Sequence, residues 1–293
     1  MKKIISVLVL ALVLVGLAGC GGERTYAADG TYVAWKLTTH EVTFEEEDYV
    51  VPAYVTVEVT VHNDEIIDFN IDERQGHAYV GLNRAGEEEV KIAFNDRTKK
   101  ELWYDYNMEW LADAGEWFIQ AFAIERAWLE TGEIEAVAAS TMVQGDYVEV
   151  ANQAIQNAKD GKVGAFHIGE HYEYDVVWVT GEIDADGKIS NIAFDAHIFD
   201  TASGKWEPET KYESYPEMAG GAKWQDQLDT FTEYINENGW DGTINPNATA
   251  GSSTMKGVNI GGEPVEALTS VTMEVKGQIL VMNKLHNYFP AGF

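Results

Sequence analysis

Two short segments of this chain place a threonine behind a run of small residues. The first is Gly132–Val143, GEIEAVAASTMV, and the second is Gly262–Val275, GEPVEALTSVTMEV. In each segment a glutamate stands six positions before the threonine, which is Thr141 in the first and Thr272 in the second, and a methionine follows it. Because similarity within one chain reports on its whole architecture, the duplication favours a shared role for the two threonines.

Phosphate binding is the chemistry that this arrangement suits. The residues after Thr141, VQGDYVEVANQAIQNA, predict a helix. A hydroxyl at the start of a helix lies beside free backbone N–H groups and the positive end of the helix dipole, and both attract a phosphate. An ordinary helix N-cap uses the same residue type, so this alternative stays open.

The first twenty residues resemble a bacterial lipoprotein signal. A basic start, Met1–Lys3, precedes an apolar run, Ile4–Gly16, which is too short for a comfortable membrane span, and the lipobox-like LAGC follows at Leu17–Cys20. The resemblance implies cleavage before Cys20 and lipid attached to its sulfur. A plain secretory signal with an incidental cysteine is the alternative.

On this interpretation residues 1–19 are the signal peptide and residues 20–28 a lipidated tether. The protein is then expected on the extracytoplasmic face of the cell membrane. Cys20 is the only cysteine, so an intrachain disulfide is excluded and the exported part must be stable through its hydrophobic core.

The charge balance narrows the possible partners. The chain has 20 basic and 49 acidic residues, a net charge of −29. Such a surface repels nucleic acid, which excludes nucleic-acid binding. It also repels anionic lipid headgroups, so we expect membrane contact through the lipid anchor and not through a basic patch.

The elements that must position the two threonines are also duplicated. Alternating apolar residues and polar turns predict two β-hairpins, in which strands 54–61 and 66–71 pair in the first half and strands 175–183 and 189–194 pair in the second. Helical spacing of apolar residues then predicts helices at 116–129 and 223–235.

Each predicted helix has the same internal landmarks. Trp117 and Trp224 are each followed after three positions by glutamine and after fifteen by glycine. We therefore expect two tandem domains, 29–158 and 159–293, which follow the lipoprotein signal. The predicted fold class is α+β, and each repeat is a small domain with an antiparallel sheet packed against helices.

At this level of detail the chain resembles secreted bacterial lipoproteins with tandem FMN-binding domains, including the flavoprotein family of extracellular electron transfer. The resemblance covers nearly the whole exported part. It rests on DGTY at 29–32, the hairpin, TKKELWYDYNM at 98–108, WFIQ at 117–120 and the threonine motif before a helix.

The resemblance implies a function and a cofactor site. In that family FMN is attached through a phosphoester to the last threonine of a motif written roughly D-x-x-S/T-G-A-T, and by position these are Thr141 and Thr272. It implies a membrane-tethered electron carrier, served by a flavin transferase, that passes electrons from a membrane donor to an external acceptor. An electron carrier needs no catalytic base, and we assign no catalytic or metal-binding residue.

Only the terminal threonine of the family motif is intact in both copies. The first copy has Glu135, Ala138, Ala139 and Ser140 at the other motif positions, and the second has Glu266, Thr269, Ser270 and Val271. Glycine permits a close backbone approach to a phosphate that the residues replacing it do not. The alternative is therefore a cofactor-free binding or structural lipoprotein with degenerate FMN-binding-like domains.

Two other patterns are compatible with a metal site. The segment 167–171, HIGEH, matches the H-x-x-E-H pattern of some zinc peptidases, which requires a helix to bring both histidines to one face. The acidic run Glu45–Asp48 predicts a solvated loop, with calcium binding as the alternative.

Aromatic residues available to stack on a flavin, or to form core, are Trp103, Tyr104, Tyr106, Trp110, Trp117, Trp206, Tyr212, Tyr215 and Trp224.

Overall fold

Two similar domains make up the described part of the chain. The computed structural model describes residues 24–106, 116–138, 140, 142–169, 172–218, 221–242, 259–260, 263–268 and 270–293. Within these residues each domain has a curled antiparallel sheet of four strands packed with helices. The predicted α+β fold class is confirmed.

The first domain has its four strands side by side in chain order, each antiparallel to the next. A 3₁₀ turn, Trp103–Asp105, follows the first of its three helices. The elements are β1 (Gly30–Phe44), β2 (Glu47–His62), β3 (Glu65–Leu82), β4 (Glu88–Phe94), α1 (Lys99–Leu102), α2 (Trp117–Thr131) and α3 (Gly145–Asp160).

The second domain repeats this order with shorter strands. Its elements are β5 (Lys162–Ile168), β6 (Asp175–Ile183), β7 (Ile189–Asp200), β8 (Lys205–Trp206), α4 (Lys211–Ser214), α5 (Trp224–Asn238), β9 (Asn259–Ile260), β10 (Glu263–Pro264), a 3₁₀ turn (Glu266–Leu268) and α6 (Lys276–Tyr288). Helices α2 and α5 pack on the third strand of their sheets, and α3 and α6 pack on the first two.

Both predicted hairpins are present. Strand β6 has the predicted bounds, whereas β2 and β3 extend well beyond the predicted 54–61 and 66–71. The acidic run is the tip of the β1–β2 hairpin, where Glu45 and Glu46 have φ values of 50° and 68°. Its side chains are exposed, so the solvated prediction holds, but the run forms a tight two-residue turn and not a longer loop.

Both predicted helices are also present and slightly longer than expected. Each begins at its tryptophan, Trp117 or Trp224, and ends immediately before a glycine with positive φ, Gly132 or Gly239. Glycine at this position lets the chain leave the helix without the steric penalty that a Cβ atom would add.

Alternation along the strands gives each sheet one face that is buried under helices. In the first domain Val55, Val57 and Val59 of β2 pack with Ile124 and Trp128 of α2. The corresponding core of the second domain includes Val177 and Val179 of β6 with Leu228 and Phe231 of α5. Burial of these apolar faces is the main source of stability in each domain.

The two sheets contact each other through aromatic side chains. The Trp35 ring of β1 lies 5.3 Å from that of Phe166 in β5 and 6.1 Å from that of Trp178 in β6. In addition, the Trp206 indole N–H donates to the carbonyl oxygen of Thr38 at 2.8 Å. The contact between the domains therefore combines aromatic packing with polar contacts, which include the Phe94 N–H donating to the Glu173 carbonyl oxygen at 2.8 Å and the Tyr79 hydroxyl donating to Glu173 Oε2 at 2.7 Å.

Candidate functional site

The second threonine segment has an irregular backbone, with a bend at Met273, before the last helix of its domain. Val271, Met273 and Val275 are buried, whereas Thr272 between them is exposed. Helix α6 begins four residues after Thr272, and Val275 is its N-cap, without a side-chain cap bond. Thr272 therefore lies neither at the start of this helix nor at its N-cap, and the helix start predicted at Thr141 lies outside the described residues.

A buried glutamine fixes this segment to helix α5. Gln227 Oε1 accepts from the backbone N–H of Thr272 at 2.5 Å, from its hydroxyl at 3.1 Å and from the backbone N–H of Met273 at 2.9 Å. Gln227 shares the buried face of α5 with Trp224, three residues earlier. The Thr272 side chain is thus exposed and held in one place.

The first threonine segment is held in a similar way. The Ser140 hydroxyl donates to Gln120 Oε1 at 3.0 Å, and Gln120 stands three residues after Trp117, as Gln227 does after Trp224. The indole N–H of Trp128 also donates to the carbonyl oxygen of Glu135 at 2.8 Å. Thr141 itself lies outside the described residues.

A capped short helix is the next shared feature. Thr98 caps α1 and Thr210 caps α4, each in a reciprocal capping box with a glutamate three residues later. In both domains a carboxylate on the third strand accepts from the second residue of this helix: Asp72 from the Lys100 N–H at 3.2 Å, and Asp195 from the Tyr212 N–H at 2.9 Å. Burial raises the pKa of both carboxyl groups.

The first residue of each short helix is a lysine that lies over the tryptophan of the long helix. Lys99 Nζ is 5.6 Å from the Trp117 ring, and Lys211 Nζ is 4.6 Å from the Trp224 ring. In the first domain Lys99 also forms a buried ion pair with Glu73 at 2.7 Å. The position equivalent to Glu73 in the second domain holds Ala196, so this carboxylate is absent there.

The Thr272 segment is linked through Gln227 to a tryptophan and a lysine. The Trp224 indole N–H is buried and has no hydrogen-bond partner in the part of the chain that the structure describes. It lies one helical turn from Gln227, which holds Thr272, and the Lys211 ammonium is over its ring. Gln227, Trp224 and Lys211 therefore connect the Thr272 segment to a cation and an indole N–H by successive contacts.

The candidate flavin-stacking residues have different environments. Trp103 and Tyr104 are 53% and 60% exposed and both contact the Phe118 ring. Trp103 and its counterpart Tyr215 also share a positive φ, 49° and 47°. Tyr215 is also exposed, whereas Trp117 and Trp224 are buried in the cores. The partly buried members of this set are Tyr106, Trp206 and Tyr212. Trp110 lies outside the described residues.

The zinc-peptidase pattern lacks the helix it requires at its first histidine. His167 lies in strand β5, and Glu170 and His171 lie outside the described residues. Where the structure describes the chain, it contains no group of three or more His, Cys, Asp or Glu side chains that could hold a metal ion.

Cys20, the predicted lipid attachment site, lies outside the described residues. Among the residues that are described, no helix is both long and apolar enough to cross a membrane.

The residues that fix the threonine segments were not identified from the sequence. Gln120 and Gln227 hold these segments, and Lys99 and Lys211 cover the neighbouring tryptophans. The two glutamines stand at the same spacing from Trp117 and Trp224, and the two lysines stand at the same spacing from the two capping threonines. This repeated spacing is the sequence signal that could have revealed them.

No family model, curated protein or solved structure matches this chain.

Proposed function

We propose that this protein is a lipid-anchored extracytoplasmic flavoprotein that carries electrons from a membrane donor to an external acceptor through FMN. The observation that carries the proposal is the exposed Thr272 hydroxyl, which Gln227 holds in one place. The resemblance to tandem FMN-binding lipoproteins and the duplicated helix–threonine arrangement support it.

The protein's own residues would fix the cofactor in place. Thr272, and Thr141 in the first domain, would carry the phosphoester. Lys211 would balance the negative charge of the phosphate, and Gln227 would keep the segment from moving. FMN would supply reversible electron transfer when bound. Two such domains on one chain, tethered through Cys20, would form a short relay near the membrane.

One observation favours a second candidate, a cofactor-free binding or structural lipoprotein. The Thr272 hydroxyl donates a hydrogen bond to Gln227 Oε1, and an esterified oxygen has no hydrogen to donate. Attachment of FMN would therefore remove this bond. The replaced glycines of both motifs point the same way.

Covalent flavin content distinguishes the two candidates. The mature protein is produced with a flavin transferase in an exporting host, denatured in acid and freed of small molecules, and its flavin absorbance and intact mass are measured. The flavoprotein proposal predicts retained flavin that is lost stepwise in Thr141→Ala and Thr272→Ala. Thr131→Ala, at an exposed threonine near the first segment, is the matched control and should retain all of it.

A colourless protein of unmodified mass, from cells whose transferase is active on another substrate, would overturn the flavoprotein proposal. It would leave the cofactor-free candidate as the better account. Flavin that is present before denaturation but washes out afterwards would contradict the phosphoester attachment.

A further inference from the structure

The first domain contains a partly buried ammonium group with two hydrogen-bond acceptors and an aromatic ring as its partners. Lys100 Nζ donates to Asn70 Oδ1 and to Glu125 Oε1, both at 2.5 Å, and lies 4.8 Å from the centre of the Phe122 ring. The Lys100 and Glu125 side chains are 14% and 10% exposed. Here the domain uses its own cation to fill a site made of an amide, a carboxylate and an aromatic ring.

The second domain has different side chains at all four of these positions. Tyr212 replaces Lys100, as the same residue of the matching capped helix. Ala193 replaces Asn70, because each stands two residues before the aspartate that the third strands share. On the long helix, Thr232 replaces Glu125 and Asp229 replaces Phe122. Each of these pairs stands at the same number of residues after the tryptophan that begins the helix. The built-in cation and the long side chains that contact it are lost.

A cavity of about 360 Å³ lies where these replacements occur. Its walls include Trp178, Ala193, Asp195, Tyr212, Asp229 and Thr232. This volume lies within the range of small-molecule sites in proteins, toward its lower end.

The walls of the cavity favour a positively charged ligand. Asp195 and Asp229 supply two carboxylates, Tyr212 and Trp178 supply aromatic rings, and no Lys, Arg or His is among the described residues that line it. The Tyr212 hydroxyl donates to Asp229 Oδ1 at 2.9 Å, which holds that carboxylate at the cavity. A carboxylate has about four lone-pair sites, so Asp229 can accept from a ligand as well.

We propose that this cavity of the second domain binds the primary ammonium group of a small organic amine. The site corresponds to the one where the first domain holds Lys100. A primary ammonium donates up to three hydrogen bonds, which Asp229 and the Thr232 hydroxyl can accept, while an aromatic face attracts its charge. The first domain shows that this part of the fold accommodates an alkylammonium group, in the form of a lysine side chain.

The probe is n-butylammonium, which reproduces the lysine side chain without its backbone. It is titrated into the full mature protein while the Trp178 indole N–H signal is followed by NMR, because Trp178 lines the cavity. We expect a saturable shift with n-butylammonium and none with the uncharged n-butanol. Absence of a saturable shift, or an equal shift with n-butanol, would overturn the proposal.

Variants locate the binding site. Asp229→Asn should weaken n-butylammonium binding about tenfold or more, since it removes a charged hydrogen-bond acceptor. Asp226→Asn, on the same helix but outside the cavity, should bind as the wild type does. The double variant Tyr212→Lys with Thr232→Glu rebuilds the first-domain ion pair and should abolish binding. An unchanged affinity of Asp229→Asn for n-butylammonium would show that the amine binds outside this cavity and would contradict the proposal. This test does not depend on whether the protein carries flavin.

Discussion

Gln227 holds Thr272 at two points: its Oε1 atom accepts from the backbone N–H and from the hydroxyl of the same residue. The third donor to this oxygen is the N–H of Met273. The position of the proposed flavin attachment site therefore depends on one buried side chain of a neighbouring helix, 45 residues earlier in the chain.

Removing this acceptor should cost more stability than removing the threonine hydroxyl. Gln227→Leu leaves three donors without their partner and should lower the free energy of unfolding by about 1–3 kcal/mol. Thr272→Ala loses one hydrogen bond and should cost about 1 kcal/mol or less. Urea unfolding measures both values. Gln153→Leu, at an exposed glutamine of α3, is the control and should stay within about 0.5 kcal/mol of the wild type. Equal losses in Gln227→Leu and Gln153→Leu would contradict this role of Gln227.

The buried ion pair of the first domain should be sensitive to loss of either partner. Lys99 and Glu73 have side chains that are 8% and 11% exposed, with a 2.7 Å separation between charged atoms. Lys99→Met leaves the Glu73 charge buried without its lysine and should lower the free energy of unfolding by about 3–5 kcal/mol. The double variant with Glu73→Met should recover part of this loss. Lys162→Met, at an exposed lysine 3.8 Å from Asp160, is the comparison and should cost about 1 kcal/mol or less. An equal loss in Lys162→Met would contradict the assignment.

Protonation of His167 should destabilise the protein in acid. Burial, and then the nearby charges of Lys284, Arg74 and Lys276, lower the pKa of this imidazole from 6.5 to about 4. Because the pKa is lower in the folded state, the unfolded chain binds the proton first as the pH falls. Between pH 6.5 and about 4 the protein therefore loses stability on the order of 3 kcal/mol from this group.

The variant His167→Asn isolates this contribution. Urea unfolding of the wild type and of His167→Asn is measured at neutral pH and near the lowered pKa. The wild type should lose more stability on acidification than the variant does, whatever the difference between them at neutral pH. Parallel losses would show that His167 does not titrate as described.

The regular elements of both domains could be predicted because their apolar residues repeat at the period of the structure. Strand β6 alternates between buried and more exposed residues from Val177 to Ile183, and helices α2 and α5 each run from a tryptophan to the residue before a glycine. The full length of β1 could not be predicted, because its second half is mostly polar and contains no buried residue. The turn at Glu45 and Glu46 was also missed, since glutamate carries no preference for positive φ.

The candidate site was predicted only in part. The duplicated motif drew attention to Thr272. Its separation from the start of helix α6 could not be predicted, because the alternating burial of Val271, Met273 and Val275 depends on tertiary packing. The role of Gln227 was not visible, because a glutamine within a helix is usually a solvated residue. Its hydrogen bonds depend on how distant parts of the chain meet.

Peptide mass spectrometry at Thr272 tests the central claim most directly. Protein produced with an active flavin transferase is digested, and the peptide that contains Thr272 is examined for an FMN adduct. The account predicts that this peptide carries FMN through a phosphoester and that the corresponding Thr272→Ala peptide does not. An unmodified Thr272 peptide from such cells would contradict the proposed flavin attachment at this site.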